Sequence, residues 1–384
     1  MTTARVRIPS TSAALAVKDR KFNLVVTRKI PLLRADLVFS QESLPTDNCG
    51  DIFCAAALDR YIGRCSVDEL DLAAIYRLLG PGGEVENYFG TDLCNRFCYT
   101  FDSTDLSDQE SLAMIAQAAC CNLYRQGPKI GVRFERRTDM SRLLFCHRNM
   151  EPESETRTYH RVPKDRKDGI KYAYASPKDG SELTIVLPEG ANPVNPDEIE
   201  GAGVRNNVQA HLLAHRAWNR QRYQFIDAEF TGMPEANLLA FGDRILLADN
   251  TRPGTQDGEI TGQSGLTVFT SQPVKMEAGK SYMAYLQLPD ATVDMLPVTP
   301  GPARKSFTLT RATRVSLETR PEAYARAMYT LIEDGDVTRA RPFLVTEVEP
   351  NDNTTARVEA GNYDDRYYAN DEDFIKGVVV YREE

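Results

Sequence analysis

The sequence predicts an α+β protein in which α/β elements are followed by small β-barrel structure. Three observations lead there. Two helix starts of the capping-box type, Ser66-Val67-Asp68-Glu69 and Ser107-Asp108-Gln109-Glu110, each run into an apolar stripe at helical spacing. After about residue 240 the pattern changes to short β-rich runs separated by turn dipeptides. The chain has 384 residues, 42% apolar and 26% charged, the composition of an ordinary globular protein and not of a disordered or fibrous one.

The elements follow in order. Phe22-Asn23-Leu24-Val25-Val26 reads as a first strand. The helix opened by Ser66 carries Leu72, Ile75, Tyr76 and Leu79, and Gly80-Pro81-Gly82-Gly83 stops it. The helix opened by Ser107 carries Leu112, Ile115, Ala116, Ala119, Cys120 and Leu123, and Gly127-Pro128 ends it. Ile130 to Phe134 and Leu143 to Cys146 read as strands, and polar residues 151–169 as an exposed loop. Ile170, Tyr172 and Tyr174 alternate in a strand that pairs with Leu183–Leu187 across the turn Lys178-Asp179-Gly180. A third helix is expected from Val204 to Tyr223, with Ala210, Leu213, Ala214, Ala217 and Trp218 on its apolar face, widened by Val208 and Leu212. Its breadth suits insertion between two layers.

The β part begins with Ile245–Ala248 and continues through Leu266–Phe269, Tyr282–Leu288 and Phe307–Leu309, with Asp257-Gly258 and Pro289-Asp290 as turns and Pro342 to Glu349 as a further strand. The expected organisation is an N-terminal segment with helices over 1–95, an α/β domain over 96–240, a β-barrel over 241–350 and a strand or contact segment over 351–384.

Charge and motifs narrow the function. The net charge is −9, so a generic nucleic-acid binder with a broad basic field is disfavoured. No run approaches the ~20 apolar residues of a spanning helix. The start, MTTARVRIPS, lacks the apolar core of a secretory signal. The eight cysteines (49, 54, 65, 94, 98, 120, 121 and 146) are read as free, buried thiols of a protein made in the cytosol. Cys120 and Cys121 are placed in one helix, about 100° apart, where they do not pair. Cys94-x3-Cys98 and Cys49/Cys54/Cys65 lack the paired spacing of a zinc site.

Catalytic signatures are missing. There is no nucleophile elbow, no phosphate-cradling loop ending in Lys-Ser/Thr and no His-Glu-x-x-His. His147, His160, His211 and His215 are the four histidines. His211 and His215 share a helix face but want a third ligand, so packing is the preferred reading. His147 follows Cys146 directly and points to the opposite face of a strand, which separates base from nucleophile. Asp249 to Ile260 departs from the calcium-loop pattern at three ligand positions and is read as a hairpin loop closed by Asp257-Gly258. Asp364, Asp365, Asp371, Glu372 and Asp373 hold the carboxylates a glycosidase needs, but Tyr363, Tyr367 and Tyr368 interleave, and the segment reads as a contact surface. No catalytic, cofactor-binding or metal-ligating residue is assigned, and no cofactor is expected.

Several segments together resemble one family. They include Asn23–Lys29, Leu58–Arg64, Tyr99–Asp102, Tyr124–Gly127 and Leu144–Asn149, then Ser154–Arg157, Lys167–Tyr174, Ala248–Arg252 with Gln256–Glu259, and Asn362–Tyr368. In this number and order they resemble the phage tail tip proteins of the host-specificity, or tip attachment protein J, type. The resemblance spans roughly residues 20–375. It implies a tail-hub fold and a non-enzymatic virion component, assembled in the host cytoplasm as a homotrimer at the distal end of the tail. The implied partners are further copies of the chain, the distal tail protein and other tip proteins, and the tape-measure protein. Phage DNA would pass through the hub, and a host receptor would be reached only indirectly. Longer family members continue into receptor-binding modules; this chain reads as the hub portion. A tail-associated cell-wall-degrading enzyme and a receptor-binding adhesin are the alternative readings.

Overall fold

Asn48 places its side-chain oxygen on the amides of Gly50 and Asp51 and so starts the first described helix, α1 (Cys49–Leu58). Residues 27–101, 106–160, 167–249, 256–320, 323, 326–334, 340–351 and 354–371 are described by the computed structural model. The strand expected at Phe22–Val26 lies outside them. Strands β1 (Lys29–Leu33) and β2 (Phe39–Pro45) form a hairpin ahead of α1. The buried Asp51 carboxylate accepts from the Leu33 amide at 2.9 Å and fastens hairpin to helix.

The Ser66 capping box forms, with Glu69 reaching back to the Ser66 amide at 2.7 Å, but it closes a single 3-10 turn. Leu70 is extended, and Asp71 is the true cap of α2 (Leu72–Leu79), accepting from the Ala74 amide. Gly80 to Gly83 ends α2 and opens α3 (Glu84–Phe89). Ser107 and Glu110 cap each other at the start of α4 (Asp108–Ala118). This helix is shorter than its sequence pattern implied. Cys120 adopts a left-handed φ of 54°, and Cys121 and Leu123 belong to β3 (Cys121–Gln126). Gly127-Pro128 is therefore a hairpin turn to β4 (Lys129–Phe134), with Gln126 opposite Lys129. The helical spacing of Leu123 was coincidental with strand alternation, and Cys120 and Cys121 flank a bend, not a helical turn.

Next come β5 (Leu144–Phe145) and β6 (Thr156–Tyr159). The latter corrects the loop expected over 151–169. It reads as polar because its inward residue is Arg157, whose guanidinium pairs with Glu155 at 2.6 Å and Asp249 at 3.6 Å. The expected hairpin forms from β7 (Gly169–Ala175) and β8 (Glu182–Leu187), and β9 (Pro196–Glu200) adds a parallel edge to β7. Helix α5 (Asn207–Tyr223), capped by Asn206, packs on β7 and β8 and on the C-terminal turn. Its buried face includes Gln209, Ala210, Leu212, Ala214 and Asn219, while Leu213, Ala217 and Trp218 are half-buried. Gln209 lies there because its amide donates to the Arg96 and Ala118 carbonyls.

The β part divides in two. β10 (Ile226–Gly232) and β11 (Arg244–Ala248) join β5 and β6 in an open six-stranded sheet. A closed barrel of β12 (Gln256–Ser264), β13 (Thr267–Thr270), β14 (Tyr282–Gln287), β15 (Val293–Pro300), β16 (Ser306–Leu309) and β17 (Met328–Glu333) follows. The chain then returns to the sheet as β18 (Ala340–Pro350) and β19 (Ala356–Asn362), giving the order β5-β11-β18-β19-β10-β6. The α+β class with a small barrel is thus found. β11 and β18, inside the 241–350 span first taken as barrel, are sheet strands. Asp257-Gly258 is not a turn: it lies within β12, opposite Thr330 and Tyr329. Residues 250–255 of the supposed hairpin loop lie outside the described residues. Pro289-Asp290 does turn the chain, with the Asp290 carboxylate accepting from Thr292.

Alternation fills the barrel with Ile260, Ala284, Leu286, Phe307, Tyr329 and Leu331, among others. The opposite face of β17 meets the sheet. Ile332 packs with Leu144, Leu246, Val293 and Ala340, and Met328 packs with Cys146 and Ala248. Thr330 shares that face by its two-residue period, and its hydroxyl, on a fully buried residue, has no hydrogen-bond partner among the described residues. A buried, unmet hydroxyl costs about 1–3 kcal/mol. Thr330→Val should therefore raise unfolding stability by about 1 kcal/mol in a urea titration. A loss of stability would mean that the hydroxyl is satisfied.

Candidate functional site

An open groove of about 1070 Å³ lies between the β1–β2 hairpin with α1 and the turn region of β7 and β9. Its aromatic wall is Phe97, Tyr99 and Phe101. Tyr99 and Phe101 meet edge-to-face at 5.0 Å, and Phe97 and Phe101 stack at 6.4 Å. Asp47, Glu200 and Arg205 stand on the rim. Gly203 sets the wall: its φ is +79°, its carbonyl accepts from the Cys98 amide, and a Cβ there would fall 2.1 Å from the Phe97 ring. Only glycine combines that backbone with that approach. Gly203→Ala should cost about 2–3 kcal/mol through left-handed strain and displacement of Phe97, read by denaturant midpoint. An unchanged midpoint would show that the wall yields freely.

The chemistry-bearing residues singled out in sequence do not converge. Cys146 is buried against Met328, with burial pushing its thiol up to about 12. His147 points elsewhere, its Nδ1 2.7 Å from the Asp257 carboxylate, and so links the end of β5 to the barrel. His160 lies 2.7 Å from Asp227 on the sheet surface. His211 and His215 have ring centroids 6.1 Å apart; burial and the neighbouring His215 lower His211 to about 4. Among the described residues no group of three His, Cys, Asp or Glu side chains is placed to hold a metal. All eight cysteines are free thiols; six are buried, Cys65 is half-buried and Cys98 is exposed. Burial also lifts Cys54 and Cys120 to about 12, which keeps them protonated and inert at neutral pH.

The described C-terminal carboxylates, Asp364, Asp365 and Asp371, are each engaged within the chain. Asp364 caps a 3-10 turn over Asp365–Tyr368 and pairs with Arg366 at 2.6 Å; Asp365 pairs with Arg137 at 3.2 Å. Asp371 receives the fork of Arg216, at 3.0 Å from Nε and 2.6 Å from NH2. Glu372 and Asp373 lie outside the described residues. Tyr363, Tyr367 and Tyr368, read in sequence as an outward contact surface, are buried against one another and against Tyr223 and Leu344. The reason is distant in sequence: Arg244 lies 4.6 Å from the Tyr363 ring centroid and Arg216 5.2 Å from that of Tyr368. The segment straps the helical layer to the open sheet. Glu135 supports it: burial alone would raise its carboxyl, but Arg220 and Arg216 outweigh this and hold it below the usual range. No helix among the described residues is long and apolar enough to cross a membrane.

Compared with known proteins, the chain matches no family model and no curated protein. Among solved structures it is similar to a chain of the virion of a native gene transfer agent particle, with a TM-score of 0.36 and 12% identity over 74% of this chain and 47% of that one. It is also similar to the tail protein from Neisseria meningitidis MC58, with a TM-score of 0.30 and 8% identity over 70% of this chain and 58% of that one. The chain thus spans about half the length of the structures it matches.

Proposed function

We propose that this chain is a structural subunit of a phage-type tail tip. In this reading three copies close a hub that joins the tail tube to the distal tip and lines or gates the channel through which DNA leaves. Host attachment then runs through the tip that the hub carries. The observation that carries the reading is the closed barrel held on an open sheet by a buried seam. A barrel has no free strand edges, so copies can stack around an axis without edge-to-edge growth. Three-fold closure uses two complementary patches on each copy, one for each neighbour, and the closed ring leaves neither free. The sequence resemblance, spread in order from the N-terminal strings to Asn362–Tyr368, supports the same use.

The test is the mass and place of the assembly. Native mass measurement of virion-extracted protein should give three copies of the chain per assembly, and imaging of the particle should place it at the distal end of the tail. A monomer in the virion extract, or a location elsewhere on the particle, overturns the reading. Release of peptidoglycan fragments by the purified chain would replace it with the enzyme reading, and binding of the isolated chain to host cells with the adhesin reading. If acidic side chains face the channel, reversing them should slow genome ejection.

A further inference from the structure

A second, smaller pocket of about 230 Å³ opens where α2, α3, the β3–β4 hairpin and the Ala240 loop meet. Its floor is apolar, formed by Leu78, Val132 and Phe134, all nearly buried. Its walls carry three guanidinium groups, Arg77, Arg133 and Arg136, and one carboxylate, Glu84. In a chain of net charge −9 this is a local excess of positive charge.

Among the described residues the pairing of these groups leaves guanidinium donors unused. Glu84 is shared: Arg77 Nε is 3.5 Å from one of its oxygens and Arg136 NH2 is 3.8 Å from the other. Charge-assisted hydrogen bonds are nearer 2.7–2.9 Å. Neither arginine is closer to any other carboxylate among the described residues, and Arg136 otherwise rests 5.9 Å from the Phe134 ring centroid. Arg133 is committed, with NH1 2.6 Å from Asp243. The Tyr124 hydroxyl on the pocket wall donates to Asp71 at 2.8 Å. Two guanidinium forks therefore face a side-chain-sized space above an apolar floor.

We propose that this pocket binds a carboxylate on a short aliphatic stem, the acidic side chain of a partner protein. Arg77 and Arg136 take the two oxygens, and the methylene groups lie on Leu78, Val132 and Phe134. The planar fork of arginine matches a carboxylate two bonds at a time. The stem distinguishes this ligand from free phosphate, which leaves the apolar floor unused. The volume is below that of ordinary small-molecule sites and leaves no room for a nucleotide. The inference does not depend on the tail reading, because it rests on the pocket alone.

The test uses the full chain and thermal unfolding at constant ionic strength. N-acetylglutamate amide at saturation should raise Tm by about 2 °C, and the neutral N-acetylglutamine amide should not. The double variant Arg77→Gln/Arg136→Gln changes two exposed side chains, should keep the unliganded Tm within a degree or so, and should lose the response. Glu84→Gln removes the resident carboxylate and should tighten binding severalfold. The proposal is overturned by equal responses to the two amides, by a response that survives in the double variant, or by a weaker response in Glu84→Gln. Stabilisation by inorganic phosphate or a DNA duplex without stabilisation by the glutamate amide would likewise replace the acidic side chain with a phosphate ligand.

Discussion

Arg216→Met should destabilise the chain by about 3–5 kcal/mol, the cost of leaving one partner of a buried ion pair alone. Arg216 is nine-tenths buried and Asp371 almost wholly so. All three guanidinium nitrogens donate: two bonds go to Asp371, a third goes to the Glu135 carbonyl at 2.9 Å, and the faces meet Phe89 and Tyr368. Methionine fills the volume but leaves Asp371, among the described residues, with only the Tyr88 hydroxyl at 3.3 Å. The double variant Arg216→Met/Asp371→Leu should recover most of the loss, since an apolar pair of similar size removes the uncompensated charge. Chemical denaturation measures both. Equal stability of wild type and single variant would mean that the strap does not depend on this pair.

The same cluster gives a pH dependence of definite sign. Glu135 has a lowered pKa in the folded chain, so it binds a proton more readily when unfolded. Its contribution is present above the unfolded carboxyl value of about 4.3 and is lost as pH falls through the folded value. Wild-type stability should fall on acidification below about pH 4. Arg216→Met removes one of the two cations that hold Glu135 down, so the glutamate share of that acid limb should shrink. Stability measured from pH 6 to pH 3 tests this; an unchanged acid limb in the variant would assign the effect to other carboxylates.

How much of this was legible in the sequence depends on the range of the forces involved. The Ser107–Glu110 box is satisfied within four residues, and its helix start was read correctly. The end of that helix was not, because the left-handed Cys120 that breaks it is no glycine and carries no composition signal. Asp257-Gly258 has turn chemistry, yet it lies in a strand because β17 pairs with it and His147, 110 positions away, meets its carboxylate. Arg157 made a strand look like a loop because local charge gives no sign of burial: Glu155 is close in sequence, but Asp249, the second carboxylate that encloses the guanidinium, is 92 positions away. The C-terminal tyrosines were recognised as contact residues, but the surface they contact belongs to this chain. Helix α1 was missed because Cys49–Leu58 is apolar nearly all round and shows no stripe; Asn48 was the one local signal. The carboxylate pocket was missed because its arginines come from α2, from β4 and from the second residue after β4, and their spacing has no period.

The barrel and sheet can act as one block only if the seam between them is strong, and Leu246→Asp tests that directly. Leu246 lies on the barrel side of β11, packed with Leu144, Val293 and Ile332, and is 4% exposed. Its neighbour Leu247 points the other way, into the sheet's own core with Phe145 and Phe343. A carboxylate at 246 therefore strikes the seam and leaves both cores intact. It loses about 2–3 kcal/mol of apolar burial and adds the cost of a buried acid, for a total near 4 kcal/mol. The intact chain should unfold its barrel and sheet in one calorimetric transition, because β17 and β11 share buried surface and the chain passes from sheet to barrel and back. In Leu246→Asp the transition should split, the barrel retaining its own melting temperature through Phe307, Tyr329 and Leu331. Leu247→Asp should instead lower stability mainly in the sheet. If Leu246→Asp still melts in a single transition near the wild-type temperature, the two β units are rigidly joined by something other than this seam, and the mechanical basis of the hub proposal moves with it.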